Sequence, residues 1–437
     1  MEQGVSGAVK QPFWADLPYT DIHLSITPDI LHQLYQGVFK HLVSWCQDLL
    51  SPDELDNRLR CLPQAFGIRH FKNGISSLAQ ISGKERKEMA RVLLGCLIGK
   101  IPKPVMLAFR SILDFIYLAQ YPTHDDDTLQ YMQDALNTFH KHKGVLVELG
   151  IRDDLNIPKL HSLLHYIDSI RMFGTTDNYN TEMFERLHID FAKDAWRASN
   201  HRDEFPQMVR WITRQEKIAL YEAYQNECQA DADEGATLRL NRQEFARTYL
   251  PFDRVDVYHK FRFKPCALSD GKEEEDVVKA VPGAIRLGRK NRFDTVIVLE
   301  NEEAESTGVR GTRAARVKII FTLPKKLPVS QGGGPAPAWW PQEPLAYVEW
   351  YNRFARAPDL VHLMYAVGKA PRRADGLPQG KIIPLSQVRQ SCHLIPHYPV
   401  GSQGAVPVDW TSENVLEKAA SFHLNNWGGT YAYQTLW

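Results

Sequence analysis

Two carboxylates, Glu182 and Glu185, stand three residues apart in DNYNTEMFERLHIDFAKDAWRASN at Asp177–Asn200. On a helix that spacing puts both acids on neighbouring positions of one face, where their oxygens serve one cation or one substrate. The plainer chemistry is electrostatic: an acid in a first helical turn stabilises the helix dipole by about 0.5 kcal/mol. A third acid, Asp29, closes Thr27-Pro28-Asp29, with Thr27 as N-cap, Pro28 at the first helical position and Asp29 in the first turn. Capping alone accounts for it, but it lies where an extended segment hands over to a helix, a place suited to holding ligands. His161 and His165, four apart, have the spacing of a metal pair. No HExxH acid accompanies them, so buried, hydrogen-bonded histidines are the expectation. Arg210, Arg214 and Lys217 recur along one side of a helical stretch, and Arg286, Arg289, Lys290 and Arg292 cluster further on. Such stripes are solvated faces or contacts to a phosphate backbone.

The elements that must position these groups follow from periodicity. YTDIHLSIT at Tyr19–Thr27 alternates Ile22, Leu24 and Ile26, which predicts a short strand leading to Asp29. A helix then runs to about Ser51, with further helices over Pro52–Leu62, Lys84–Gly99, Lys103–Gln120 and Asp126–Gly150. Pro158 opens a helix that Gly174 ends. In the acid-bearing stretch, Met183, Phe184, Leu187, Ile189, Phe191, Ala195 and Trp196 form an apolar stripe expected to face the core. A long helix follows from Asp203. Near Asp231 the composition shifts, and beyond residue 250 the runs are β-like: Val255–Phe263, Phe293–Glu300, Val317–Leu323, Leu345–Tyr351, Leu360–Val367, Ile382–Val388 and Cys392–Ile395. Strands at such spacing suggest a small barrel or sandwich. Asn414–Asn426 reads as one closing helix.

With 437 residues and 43% hydrophobic content the chain can bury a large core in two or three domains. Formal net charge is zero, which removes any global field directed at nucleic acid or membrane, with an acidic excess before residue 253 and a basic excess after it. The six cysteines are scattered without a CxxC pair, which fits a reducing compartment better than a zinc site or disulfide scaffold. No apolar run is long enough to span a bilayer, and MEQGVSGAVKQPFW lacks the apolar centre of a signal peptide. An intracellular, soluble protein is expected. Walker, GxSxG and zinc-finger patterns are absent.

Four runs resemble the Plavaka transposases of fungi, relatives of the CACTA/EnSpm group among the Kyakuja-Dileera-Zisupton type elements. They are SITPDILHQLYQGVFKHLVSWC, LAQYPTH, the long run from LGIRDDLNIPKLH to KDAWRASN, and DWTSENVLEKAASFHLNNW. The resemblance implies an α+β chain. Residues 1–230 would be a partial RNase H-like DDE core carrying a large all-α insertion at about 52–156. A linker or helix at 231–252 and a β-rich C-terminal domain at 253–437 would follow. It implies three carboxylates holding two Mg²⁺ (or Mn²⁺) ions that cut DNA and join its 3′ ends. Asp29 corresponds to the second acid and Glu185 to the final glutamate, with Glu182 as the alternative. DNA at transposon ends, a nuclear location and a homo-oligomer are implied too. The first aspartate should lie well upstream, yet only Asp16 and Asp21 fall between Glu2 and Asp29. The expectation is therefore the C-terminal portion of a transposase, a fragment or remnant. The alternative is a catalytically inactive, transposon-derived protein that binds DNA or protein. A third reading is a metal-dependent hydrolase using His161, His165 and Glu182.

Overall fold

A computed structural model describes residues 11–19, 21–229, 236–239, 254–268, 274–283, 290–327, 334–399 and 405–436. Arg286 and Arg289 lie outside the described residues. Up to residue 229 the described chain is helical, without a strand. Helix Lys103–Leu118 is apolar nearly all round and is accordingly buried nearly all round. Helix Gly83–Leu97 starts with a capping box, Ser82 and Glu85 satisfying each other's backbone N–H groups. Helix Asp126–His142 is opened the same way by Asp125 and Thr128. Its predicted extension to Gly150 breaks at His142, and a separate turn follows at Val145–Glu148.

Several predicted elements differ. The strand expected at Tyr19–Thr27 is instead a short helix, Ile22–Ser25, capped by Asp21, whose carboxylate accepts the His23 and Leu24 N–H groups. Leu24 and Ile26 stay exposed there, so no core face selects the extended alternation. The sheet that an RNase H-like core needs is thus not found among the described residues of 1–230. The Asn414–Asn426 helix is confined to Val415–Lys418, and Ser421–Leu424 is a strand whose Phe422 and Leu424 are buried.

The β-rich part is antiparallel throughout. Strand Thr312–Thr322 is its hub: one end pairs with Thr295–Leu299, the other with Arg254–Tyr258, and Leu345–Trp350 runs along its far side. The predicted Val255–Phe263 strand is broken at His259, because Arg254–Tyr258 and Lys260–Phe263 belong to different sheets. A second sheet joins Tyr365–Gly368, Ser421–Leu424 and Leu394–Pro396. The two parts share one hydrophobic core. Met364, Ile395, Tyr398, Trp427 and Tyr433 pack in the same cluster as Trp45, Leu94, Phe109 and Phe115. Polar ties cross the same seam: Tyr117 donates to the Trp427 carbonyl at 2.6 Å and Tyr433 to Asp114 at 2.9 Å.

Candidate functional site

Asp29 rather than Thr27 is the N-cap. Its backbone is extended, and the helix that follows is π-wound over Ile30–Val38 before becoming α-helical at Phe39–Leu49. One carboxylate oxygen, Oδ2, accepts the His32 N–H at 2.6 Å and the His32 ring nitrogen Nδ1 at 2.7 Å. The other, Oδ1, accepts the Thr181 N–H at 3.0 Å. Tyr166, fully buried edge-on against Phe115, donates its hydroxyl to the Asp29 carbonyl at 2.8 Å. Burial raises the Asp29 pKa, but the bonds from His32 and Thr181 outweigh it and hold the carboxyl below its ordinary value.

Asp29 therefore binds the start of its own helix to the acid-bearing segment far along the chain. Gly174, at φ +83°, ends helix Tyr166–Phe173, and a Cβ there would fall 2.5 Å from the Asn178 side chain. The tight turn delivers Thr181 to Asp29. Helix Glu182–Leu187 follows and passes into a second π-helical stretch, His188–Lys193. Both acid-bearing segments thus carry π-winding, which recurs at functional sites.

His32 joins the two acids. A carboxylate only accepts, so the short contact to Asp29 makes Nδ1 the protonated nitrogen. The opposite nitrogen, Nε2, lies 3.7 Å from Glu185 Oε1. Asp29 and Glu185 each face His32, so an imidazole stands between the two acids where the resemblance implies a shared metal site. Glu182 does not join them: it faces Lys87 of helix Gly83–Leu97 at 3.7 Å. Neither His32 nor Tyr166 stands out from the sequence. The one available signal for His32 was its i+3 spacing from Asp29.

The donor set does not fit a pair of bridging divalent ions. Mg²⁺ seeks several oxygens, whereas both Asp29 oxygens are engaged by protein donors and a ring separates Asp29 from Glu185. Asp16 is exposed and Asp21 is a helix cap. Among the described residues no group of three or more His, Cys, Asp or Glu is placed to hold a metal. His161 and His165 are exposed rather than buried, with Nε2 atoms 3.3 Å apart.

The apolar stripe is the largest departure. Met183, Phe184, Leu187, Ile189, Phe191 and Trp196 are exposed, Phe184 at 62%, and of the seven only Ala195 is buried. Arg210, Arg214 and Lys217 are exposed on helix Glu204–Gln229, which runs on from this segment. Lys290 and Arg292 belong elsewhere, paired with Glu413 at 2.7 Å and Asp294 at 2.9 Å.

No described helix is long and apolar enough to cross a membrane. No curated protein and no solved structure matches the chain. A family model, Plavaka transposase, does match, over residues 1–46. That position gives no support to placing the chain at a transposase's C-terminal end, and the matched segment contains Asp29 and His32. Over those 46 residues the chain is similar to the Plavaka transposases.

Proposed function

We propose that the chain is a transposase-derived, DNA-binding protein and that Asp29 and Glu185 are what it retains of a DDE-type cleavage centre. The observation that carries this reading is the convergence of the two acids on His32, from segments far apart in the chain. In the intact family such acids hold divalent ions that activate an attacking water or 3′-hydroxyl. Here the donor set is two carboxylates separated by an imidazole, and no cleavage step is assigned to it. The RNase H-like relationship and the nuclear site of action remain part of this proposal. Arg210, Arg214 and Lys217 supply the DNA contact, since they are exposed on one side of a helix that begins beside the acid segment.

The full chain should bind duplex DNA with an affinity that falls steeply with salt, and Arg210→Ala with Arg214→Ala should weaken it. Supercoiled plasmid should stay intact in Mg²⁺ or Mn²⁺. Nicking that requires the metal and disappears in both Asp29→Ala and Glu185→Ala would mean a working nuclease and overturn the remnant reading. Absence of DNA binding at low salt would overturn the DNA-binding reading.

A further inference from the structure

At the seam between the helical and β-rich parts lies an open cleft of about 1120 Å³ that neither Asp29 nor Glu185 lines. Arg60, His70 and Lys72 come from the end of helix Pro52–Cys61 and the loop after it. His259, Lys279 and the Lys290–Asp294 segment come from the β-rich part, and Trp410 lines it as well.

Its lining cations outnumber its lining acids, and those acids are already engaged. Asp294 is held by Arg292 at 2.9 Å and Glu413 by Lys290 at 2.7 Å, while Arg316 turns to Glu417 at 2.7 Å. No ion pair among the described residues holds Arg60, Lys72 or Lys279. A half-buried imidazole completes the picture: Nδ1 of His259 is buried without a hydrogen-bond partner and, when protonated, is a donor left unused. A buried polar nitrogen left unpaired costs about 1–3 kcal/mol, which an anionic acceptor would remove. The cleft is slightly larger than the pockets that enclose small organic ligands, and half-buried Trp410 gives its lining an aromatic ring.

We infer that this cleft binds a phosphate-bearing ligand of nucleotide size, with Arg60, Lys72 and Lys279 on its phosphates and Trp410 against its base. The inference goes beyond the proposed function and does not depend on it.

The test uses the full chain, titrated with inorganic tripolyphosphate and with ATP and followed by calorimetry and tryptophan fluorescence. Both probes should bind, ATP more tightly if the base stacks, and each lysine removed in Lys72→Ala and Lys72→Ala/Lys279→Ala should weaken binding about tenfold. Trp410→Phe should reduce the preference for ATP over tripolyphosphate. Lys141→Ala, exposed on helix Asp126–His142 and not part of the cleft's lining, should bind both probes as the parent does. Lys72 is exposed, so the single variant carries the test should the double variant unfold. Affinity unchanged in Lys72→Ala, no binding of either probe at millimolar concentration, or binding of an oligonucleotide without binding of ATP would each overturn the inference.

Discussion

Asp29 does three structural jobs with one carboxylate: it caps a helix, orients His32 and anchors Thr181. Replacing it by alanine removes the cap and leaves the Thr181 N–H without its acceptor, an expected loss of about 2–4 kcal/mol. The loss should depend on pH in a defined sense. The folded carboxyl titrates below its ordinary value, so the ionised form is favoured by folding. That stability is complete above about pH 4 and disappears as pH falls through the folded value. Thermal melts of parent and Asp29→Ala should therefore differ most at pH 5–7 and converge below about pH 4. A gap that stays constant down to pH 3 would mean the carboxylate's charge contributes nothing. His32→Gln separates the roles, because it keeps the backbone N–H on Asp29 while losing the imidazole that faces Glu185. It should melt close to the parent.

At the scale of elements, sequence periodicity served best where burial decides and worst where it does not. Lys103–Leu118 and Gly83–Leu97 were legible because their apolar residues recur at helical spacing and pack on several sides. The stripe from Met183 to Trp196 has equally good spacing, but nothing in the described chain covers it. Periodicity reports which residues share a face, not what lies opposite. The Tyr19–Thr27 alternation misled similarly, since no buried face enforces a two-residue period there. Within the candidate site, Asp29 and Glu185 were legible through resemblance to a family motif. His32 was not, because its position between them depends on the Gly174 turn and on Tyr166 holding the Asp29 carbonyl. A paired measurement tests the difference between covered and uncovered faces. Phe184→Ala and Leu187→Ala should cost below about 1 kcal/mol each, whereas Leu94→Ala, in the shared core, should cost about 2–5 kcal/mol. Chemical denaturation of the three variants reads this directly, and a large loss at Phe184 would show that its face is covered in solution.

For the whole molecule, the decisive feature is that one core is closed by residues from both ends of the chain. A division at 231–252 suggests parts that fold separately, yet Trp427 is fully buried, stacks edge-on with Tyr117 at 5.5 Å and sits 5.1 Å from Tyr433. Tyr398 covers Arg58, whose guanidinium lies 4.1 Å from the ring and bonds the Cys96 and Ile98 carbonyls at 2.9 and 2.8 Å. Ile395 rests so closely on Gly95 that a Cβ there would meet its side chain. Removing the β-rich part would uncover the apolar surfaces of helices Gly83–Leu97 and Lys103–Leu118, and burying a single large side chain is worth about 1.5–3 kcal/mol. Several such losses exceed the stability of an ordinary domain. Residues 11–229 expressed alone should thus keep helical far-ultraviolet dichroism but lose near-ultraviolet signal, bind a hydrophobic dye and be cut rapidly by protease. Tyr433→Phe in the full chain offers the finer version of the same test. It strips a donor from buried Asp114, whose pKa burial pushes up to about 6 against the nearby Arg110. Because that folded value lies above the unfolded one, the ionised carboxylate is the form that burdens the fold, and it is populated as pH rises through about 6. The variant should therefore lose more stability at pH 7.5 than at pH 5. An equal loss at both would place the Tyr433 contribution in packing, and a fully structured 11–229 fragment would refute the shared core itself.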